Sequence, residues 1–218
     1  MSEEVELNIV ILPDEKTKST AIETSRKIGN EYPVEFVLND RTTQPHITVY
    51  QARFPEKNLN QIKSNLRNVA SKISPFEMTL SKFSDYWSFI FWNSLPTNEF
   101  IHLNKSVVYQ LNPLRDGLLL SHLKTFRGNM SEMYSIQNYG SLLPGKDIDP
   151  HITVSRLKSE QDSKKVSKSM NPRLSKFLVD RICLGTLGPN GTVTEITDEF
   201  RFGGGGKSPY ILKSENYF

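Results

Sequence analysis

The chain has 218 residues, of which 37% are hydrophobic and 23% charged, and its formal net charge is +3 at pH 7. This composition is typical of a single globular domain, and its apolar runs are far too short to span a bilayer. The charge is also far from that of a dedicated nucleic-acid binder. The acidic N-terminus lacks a signal-peptide pattern and Cys183 stands alone, so we expect a cytoplasmic protein with no membrane contact.

The first part of the chain predicts alternating strands and helices. VELNIVIL alternates apolar and polar residues like a half-buried strand, and a helix over DEKTKSTAIETSRKIGNEY follows it. Strands are predicted next over VEFVLND and HITVYQARF. A helix face then recurs every three or four residues and ends at Ser74-Pro75; it consists of Leu59, Ile62, Leu66, Val69 and Ile73. FEMTLSKFSDYWSFIFWN predicts two core strands with a turn near Ser84-Asp85, with at most one aromatic side chain at a groove.

The second part predicts a similar order of elements. Thr97 fits the N-cap of a helix that ends near Asn112-Pro113. The stretch Leu118–Asp149 is irregular, and we expect its part Leu118–Lys146 to form a substrate loop over the cleft. HITVSRL predicts a strand, SEQDSKKVSKSM a helix, and the segment from Phe177 to Phe202 a hairpin that turns at Gly188–Gly191. We expect one bilobal domain over 1–202, followed by a glycine hinge and C-terminal tail over 203–218.

The pentapeptide PHITV occurs twice, at Pro45–Val49 and at Pro150–Val154. Each copy is followed by more strand residues and then by a helix, which indicates a duplicated lobe. The sequence therefore predicts an α+β fold in which two antiparallel sheets with outer helices are related by a pseudo-twofold axis. A cleft is expected between the two lobes.

Strand alternation decides which side chains of the repeat lie together. His46, Thr48 and Tyr50 are predicted on one face, opposite Ile47 and Val49. In the second copy, His151, Thr153 and Ser155 are expected together in the same way. One such His-Thr pair is ordinary on a solvated strand, but two pairs predict a shared site across the cleft. Tyr50 and Ser155 are candidate substrate-binding residues, although a structural Tyr at the sheet edge fits Tyr50 equally well.

The doubled H-x-T-x motif, with an apolar residue at each x, resembles the two-histidine (2H) phosphoesterase superfamily. Pro45 and Pro150 before the motifs make it most similar to the bacterial 2′-5′ RNA ligase-like and cyclic phosphodiesterase branch. The likeness covers the order of elements from Val5 to Phe202. It implies that His46 and His151 are the catalytic acid and base, and that Thr48 and Thr153 bind phosphate oxygens.

The resemblance implies a metal-independent phosphodiesterase that hydrolyses a cyclic nucleotide or an RNA phosphodiester. The bond would be a 2′,3′-cyclic phosphate or a 2′-5′ linkage, and the reverse reaction would be 2′-5′ RNA ligation. We therefore expect a nucleotide or RNA end as the substrate, no cofactor, no obligate protein partner and a monomer. Imidazole titrates near neutral pH, so one His can be neutral while the other is protonated, which suits this chemistry.

Other interpretations of the sequence remain open. The same fold would also suit an RNA- or nucleotide-binding module with little turnover. A metallophosphodiesterase would need ligands beside His151, but Asp147 and Asp149 form a D-x-D-P-H loop that is common turn chemistry, so we predict no metal site. GGGGKS lacks the first glycine of a phosphate-binding loop, because Arg201 stands there.

Several cations and histidines are predicted to lie outside the site. By strand alternation, Arg53 and Arg156 fall on the Ile/Val face, which favours surface or helix-side salt bridges. His102 and His122 have no Thr partner at the motif spacing, and we expect both to be structural.

Overall fold

In the computed structural model, which describes residues 3–142 and 149–203, eight strands form one antiparallel sheet flanked by five α-helices. The strands are β1 (Glu4–Ile11), β2 (Ile47–Pro55), β3 (Phe76–Tyr86), β4 (Phe89–Ser94), β5 (His151–Arg156), β6 (Ser175–Val179), β7 (Arg181–Leu187) and β8 (Val193–Arg201). The helices are α1 (Glu15–Glu31), α2 (Leu59–Ser71), α3 (Asn98–Leu111), α4 (Met130–Tyr139) and α5 (Glu160–Ser169). Within the described part of the chain, none of the helices is long and apolar enough to cross a membrane.

Short polar side chains begin the helices, as local sequence predicts. The Asp14 carboxylate accepts a hydrogen bond from the Thr17 backbone N–H at 2.8 Å, and Thr97 Oγ1 accepts from Phe100 N–H at 3.1 Å. Asn129 and Glu132 form a reciprocal capping box at the start of α4. The predicted N-cap at Thr97 is therefore confirmed.

Three local predictions are wrong. The segment from Phe177 to Phe202 is not one hairpin, because Ser175–Val179 form β6, which pairs with β3, and only β7 and β8 form the hairpin. VEFVLND forms no strand: Val34 makes only an isolated bridge with Leu157, and the segment then turns. The turn forms because Asn39 Oδ1 accepts the backbone N–H groups of Arg41 and Thr42, both at 2.8 Å, which competes with strand pairing. The hairpin between β3 and β4 turns at Trp87 and Ser88, beyond the predicted turn near Ser84-Asp85.

The predicted pair of separate sheets is replaced by one continuous sheet, in the order β6-β3-β4-β5-β2-β1-β7-β8. Its two halves join at β2 and β5, the strands of the two PHITV motifs, through the single residue pair Ile47–Ile152. A strand–helix–strand–helix order does recur, in β1-α1-β2-α2 and in β4-α3 through β5-α5. The pseudo-twofold axis itself stays a prediction.

The sheet must be strongly curled. Only Asp180 separates β6 from β7, yet these two strands stand at the first and seventh places of the sheet. In a flat sheet they would lie about 29 Å apart, because neighbouring strands are spaced about 4.8 Å apart. One residue cannot span that distance, so the sheet curls into a half-barrel whose two ends approach each other.

Four of the helices pack on one face of the sheet and tie the two halves together. Helix α1, which follows β1, packs on β5, while α3, which follows β4, packs on β2. Helix α5 packs on β3 and β4, and α2 on β8. Buried residues of all these elements form one continuous hydrophobic core. The opposite face, which we call the open face, carries the His and Thr residues of both motifs.

The predicted glycine hinge and tail lie outside the described residues from 204 onward. Gly203 itself is docked on α2, where its backbone N–H donates to the Ala70 carbonyl oxygen at 3.0 Å. A Cβ atom at this position would collide with the Ser71 carbonyl oxygen, so only glycine fits this approach.

Candidate active site

Both motif strands contain a β-bulge at the same place. On β2, Tyr50 pairs with Ile9 and Thr48 with Val10, which leaves Val49 as the extra residue. On β5, Ser155 pairs with Ile90 and Thr153 with Phe91, which leaves Val154 extra. A bulge inverts the alternation of side chains beyond it. The last Val of each PHITV therefore decides which later residues reach the open face.

The pairing of β2 with β5 brings the four motif side chains together. Ile47 lies opposite Ile152 in an antiparallel register, so Thr48 faces His151 and His46 faces Thr153. All four side chains point to the open face, because Ile47 and Ile152 are fully buried on the other. The two His residues are therefore diagonal neighbours in this register, a position in which Cα atoms lie about 7–8 Å apart. A phosphate group is small enough to lie between them.

The imidazole of His46 is held in one orientation by the chain itself. Its Nδ1 lies 2.7 Å from the Gln44 carbonyl oxygen, which can only accept, so Nδ1 carries a proton. Its Nε2 therefore faces the site and carries the lone pair when the ring is neutral. Asn8 Nδ2 lies 3.5 Å from this Nε2 and donates to Thr48 Oγ1 at 3.2 Å. Asn8, on β1, thus contacts both residues of the first motif.

His151 is held in the same way. Its Nδ1 donates to the Asp149 carbonyl oxygen at 2.7 Å, so its Nε2 is likewise the nitrogen that faces the site. The Asp149 carboxylate accepts from Asn93 Nδ2 at 3.1 Å, which fixes the residue that holds the ring. The imidazole stacks on Phe91 with ring centroids 3.9 Å apart. The two copies therefore share one device, a backbone carbonyl two residues before the His.

Burial lowers the pKa of both imidazoles below the ordinary value of 6.5, because desolvation disfavours the charged form. Hydrogen bonds to the carbonyls of Gln44 and Asp149 oppose this shift. The charge of His151 lowers the pKa of His46 further. Both rings are therefore neutral near pH 7 until a bound anion stabilises a proton on one of them.

Tyr50 and Ser155 do not lie on the open face, and this part of the sequence prediction is wrong. The bulges turn both side chains toward the helices, where they are fully buried. The Tyr50 hydroxyl donates to the Tyr139 carbonyl oxygen at 2.7 Å and burial raises its pKa, so it is a structural tyrosine. Ser155 Oγ has no hydrogen-bond partner among the described residues.

The bulges also correct the predicted face of the two arginines, whereas the predicted surface salt bridge is confirmed for Arg53. Arg156 lies on the open face, with its guanidinium 4.8 Å from the centre of the Phe89 ring and hydrogen bonds to Ser88 and Asn190. Arg53 also lies on the open face, where it pairs with Glu4 at 2.6 Å and with Glu6 at 3.7 Å. No letter of the sequence marks a bulge, so the sequence does not predict the placement of these two arginines. It also gives no signal that Asn8, Phe89 and Phe91 border the motifs, because β1 and β4 reach the motif strands only through tertiary pairing.

The predicted substrate loop contacts both halves of the sheet. Its short helical turn bonds to the first half, where Ser121 N–H donates to Glu6 at 2.7 Å. Helix α4 reaches the β3–β4 hairpin, where Glu132 accepts from the Tyr86 hydroxyl at 2.7 Å. A substrate role for this loop stays a prediction, and residues 143–148 lie outside the described chain.

No metal-binding group of three or more His, Cys, Asp or Glu side chains is found among residues 3–142 and 149–203. Asp147, one of the two carboxylates considered as ligands, lies outside these ranges. The carboxylate of the other, Asp149, bonds to Asn93. Metal independence therefore stays a prediction.

Comparison with known proteins identifies the family. The model of the 2′-5′ RNA ligase superfamily matches residues 20–189, which include both motifs. TT0787 of Thermus thermophilus shares the fold at 16% identity with a TM-score of 0.61, covering 91% of this chain and 98% of that one. E. coli LigT complexed with 3′-AMP shares it at 13% identity with a TM-score of 0.53, covering 92% and 99%.

The search of curated proteins found no match. At such low identities the two structures show the fold alone, whereas the family model covers more than half of the chain. With its two His-x-Thr motifs on adjoining strands, the chain belongs to the 2′-5′ RNA ligase superfamily, the 2H phosphoesterases.

Proposed function

We propose that the protein is a metal-independent phosphodiesterase that hydrolyses a 2′,3′-cyclic phosphate or a 2′-5′ linkage in a nucleotide or RNA. The observation that carries this proposal is the equivalent setting of the two imidazoles. Each donates from Nδ1 to a backbone carbonyl at 2.7 Å, so Nε2 is in each ring the nitrogen that can exchange a proton on the open face. Two such nitrogens can serve as base and acid for one phosphorus atom.

For a 2′,3′-cyclic phosphate the proton balance is simple. The neutral His accepts a proton from water at Nε2 while the water oxygen forms a bond to phosphorus. The P–O bond to the 2′ oxygen breaks, and that oxygen takes the Nε2 proton of the other, protonated His. With a ribose 5′ hydroxyl in place of water, the same attack on the cyclic phosphate joins two RNA ends. When the P–O bond to the 3′ oxygen is the one that breaks, the product is a 2′-5′ linkage, and attack of the 3′ hydroxyl on that linkage is the reverse, cleaving reaction. One site therefore supports both directions.

Thr48 and Thr153 suit the non-bridging oxygens of the phosphate. The Asn8 amide donates to Thr48 Oγ1 at 3.2 Å and thereby occupies one of its lone pairs. The Thr48 hydroxyl hydrogen is left to donate to a phosphate oxygen, where negative charge develops in the transition state. Because both motifs come from one chain, the proposed site is complete in a monomer.

A nucleotide ligand fits this proposal. E. coli LigT, which shares the fold at 13% identity, was crystallised with 3′-AMP. That ligand carries its phosphate on the ribose 3′ oxygen, one of the two oxygens that a 2′,3′-cyclic phosphate bridges. We propose the same class of ligand for the site between His46 and His151.

The test is the turnover of a panel of 2′,3′-cyclic nucleotides and 2′-5′-linked dinucleotides. We expect His46→Ala and His151→Ala each to lower kcat about 10²- to 10⁴-fold, the usual contribution of one positioned acid or base. His102→Ala is the matched control, because His102 lies half-buried on α3 outside the site, and its kcat should equal that of the native protein. Full activity in either motif variant would contradict the proposal.

Two further outcomes separate the other hypotheses. A chelator should leave kcat unchanged. Loss of turnover in the presence of the chelator would indicate a metallophosphodiesterase. If the native protein binds the nucleotides but turns over none of them, the proposal fails and the binding module is supported.

A further inference from the structure

A strip of aromatic rings runs along the open face, away from His151 toward the β3–β4 hairpin. Phe91 stacks on His151, and Phe89 follows Phe91 with ring centroids 6.0 Å apart. Tyr86 lies opposite Phe89 in the strand ladder. The strip is therefore continuous with the candidate active site.

The outer end of the strip is a stack of three rings from two segments. Tyr86 and Trp87 are 5.3 Å apart and 14° from parallel, and Trp87 and Phe126 are 5.8 Å apart and 28° from parallel. Tyr86 and Trp87 are each 46% exposed, so these two rings do not belong to the hydrophobic core. We call Tyr86, Trp87 and Phe126 the aromatic platform.

The platform is formed before any ligand binds. The Tyr86 hydroxyl donates to Glu132 at 2.7 Å, which ties the hairpin to α4. Trp87 has a φ angle of 51°, the left-handed region that a tight hairpin normally gives to glycine. The turn alone therefore gives no reason for a tryptophan. Its ring is instead placed between two others, with part of the stack open to solvent.

The charges around the platform suit a polyanion. Lys124 and Arg127, which flank Phe126 in the sequence, are exposed, and Arg156 lies against Phe89 between the platform and His151. The nearby Glu132 carboxylate is occupied by the Tyr86 hydroxyl and by the Asn129 backbone N–H at 2.7 Å. Stacking rings beside cations are the usual surface for single-stranded nucleic acid.

We propose that the aromatic platform stacks the bases of a single-stranded RNA whose terminal phosphate lies between His46 and His151. This inference rests on the proposed function and narrows it, because it makes an RNA end of several nucleotides the preferred substrate. The distance fits: the strand from Phe91 to Phe89 spans about 7 Å, and the turn that carries Trp87 begins directly beyond it. That length holds about two bases stacked about 3.4 Å apart, with the platform next to them.

The test compares a 2′,3′-cyclic mononucleotide with a five-nucleotide RNA that ends in the same cyclic phosphate. The native protein should have a higher kcat/KM for the RNA. We define the ratio as kcat/KM for the RNA divided by kcat/KM for the mononucleotide. Trp87→Ala should reduce this ratio about 5- to 100-fold, because the KM for the RNA rises when base stacking is lost. Trp87→Phe should restore most of the ratio, because it keeps a stacking ring.

Tyr109→Ala is the matched control, since Tyr109 is an exposed aromatic residue on α3, away from the open face, and its loss should leave the ratio unchanged. Equal kcat/KM values of the native protein for the two substrates would overturn the proposal. So would a Trp87→Ala variant whose ratio equals that of the native protein.

A binding measurement separates this proposal from the function it rests on. Anisotropy of a 5′-fluorescein-labelled five-nucleotide RNA with a 3′-phosphate should show Trp87→Ala raising Kd about 5- to 100-fold. If the native protein has no turnover but Trp87→Ala still weakens RNA binding, the proposed hydrolysis fails and the platform stands. If the His variants lose turnover while Trp87→Ala binds RNA normally, the platform fails alone.

Discussion

At the scale of single residues, the site depends on two imidazoles that the fold desolvates and orients. The carbonyls of Gln44 and Asp149 fix the tautomer, because each accepts the Nδ1 proton of the His two residues later. Burial then lowers both pKa values. Orientation comes from local sequence, whereas desolvation comes from the packing of β1, β2, β4 and β5 around the motifs.

The lowered pKa values predict an acidic pH optimum for kcat/KM. Activity requires a neutral base, so it falls as pH drops through the pKa of the base. It also requires a protonated acid, so it falls as pH rises through the pKa of the acid. Both pKa values of the free protein lie below 6.5, so the maximum of this bell-shaped profile should lie on the acid side of pH 6.5.

The profile of kcat should be displaced to higher pH, since the negative charge of a bound phosphodiester raises the pKa of an adjacent imidazolium. Initial rates at saturating and at limiting substrate from pH 4.5 to pH 9 would measure both profiles. A kcat/KM maximum above pH 7 would contradict the assignment of both limbs to these histidines.

At the scale of elements, Arg115 holds the predicted substrate loop against the domain. It is 5% exposed, and its guanidinium donates to the carbonyl oxygens of Leu118 at 2.7 Å, Asn138 at 3.1 Å and Gln137 at 3.3 Å. Gly140 packs on its aliphatic chain at a φ angle of 69°, where a Cβ would lie 2.6 Å from Arg115 Cδ. One side chain thus joins the start of the loop to the end of α4.

Arg115→Met should lower the free energy of unfolding by about 2–4 kcal/mol, because it removes the hydrogen bonds of a buried guanidinium to the carbonyl oxygens of Leu118 and Gln137. Urea unfolding followed by fluorescence would measure this change. Lys57→Met is the control. The Lys57–Asp116 ion pair, at 3.6 Å, is solvent-exposed, so loss of this pair should leave the urea midpoint of unfolding nearly unchanged. Equal stabilities of the two variants would show that the arginine is not an anchor.

At the scale of the whole molecule, the two halves of the sheet meet at one residue pair, Ile47–Ile152. The relative position of the two histidines depends on this join, since each His directly precedes one of the paired isoleucines. Both isoleucines are fully buried in the shared core.

Ile152→Ala should lower the free energy of unfolding by about 2–5 kcal/mol, the usual cost of such a cavity. It should also lower kcat, because the cavity lies directly beneath the motif side chains. Ile62→Ala, an equally buried truncation on α2, should cost similar stability but leave kcat unchanged. Calorimetry and initial rates below the unfolding temperature would test the difference, and equal kcat values in the two variants would contradict it.

The sequence by itself determined the family, the motif residues and most of the elements. The repeated PHITV, the caps and the helical periodicity are local features, and local features can be recognised directly in the amino-acid sequence. The family prediction from the doubled motif is confirmed by the match over 20–189.

Only the tertiary structure decided the rest. The bulges at Val49 and Val154 arise from pairing with β1 and β4, and they moved Tyr50 and Ser155 into the core and Arg156 onto the open face. The single curled sheet and the aromatic platform likewise depend on contacts between segments far apart in sequence. Strand alternation read from the letters assumes an unbroken ladder, and partner strands decide where a ladder breaks.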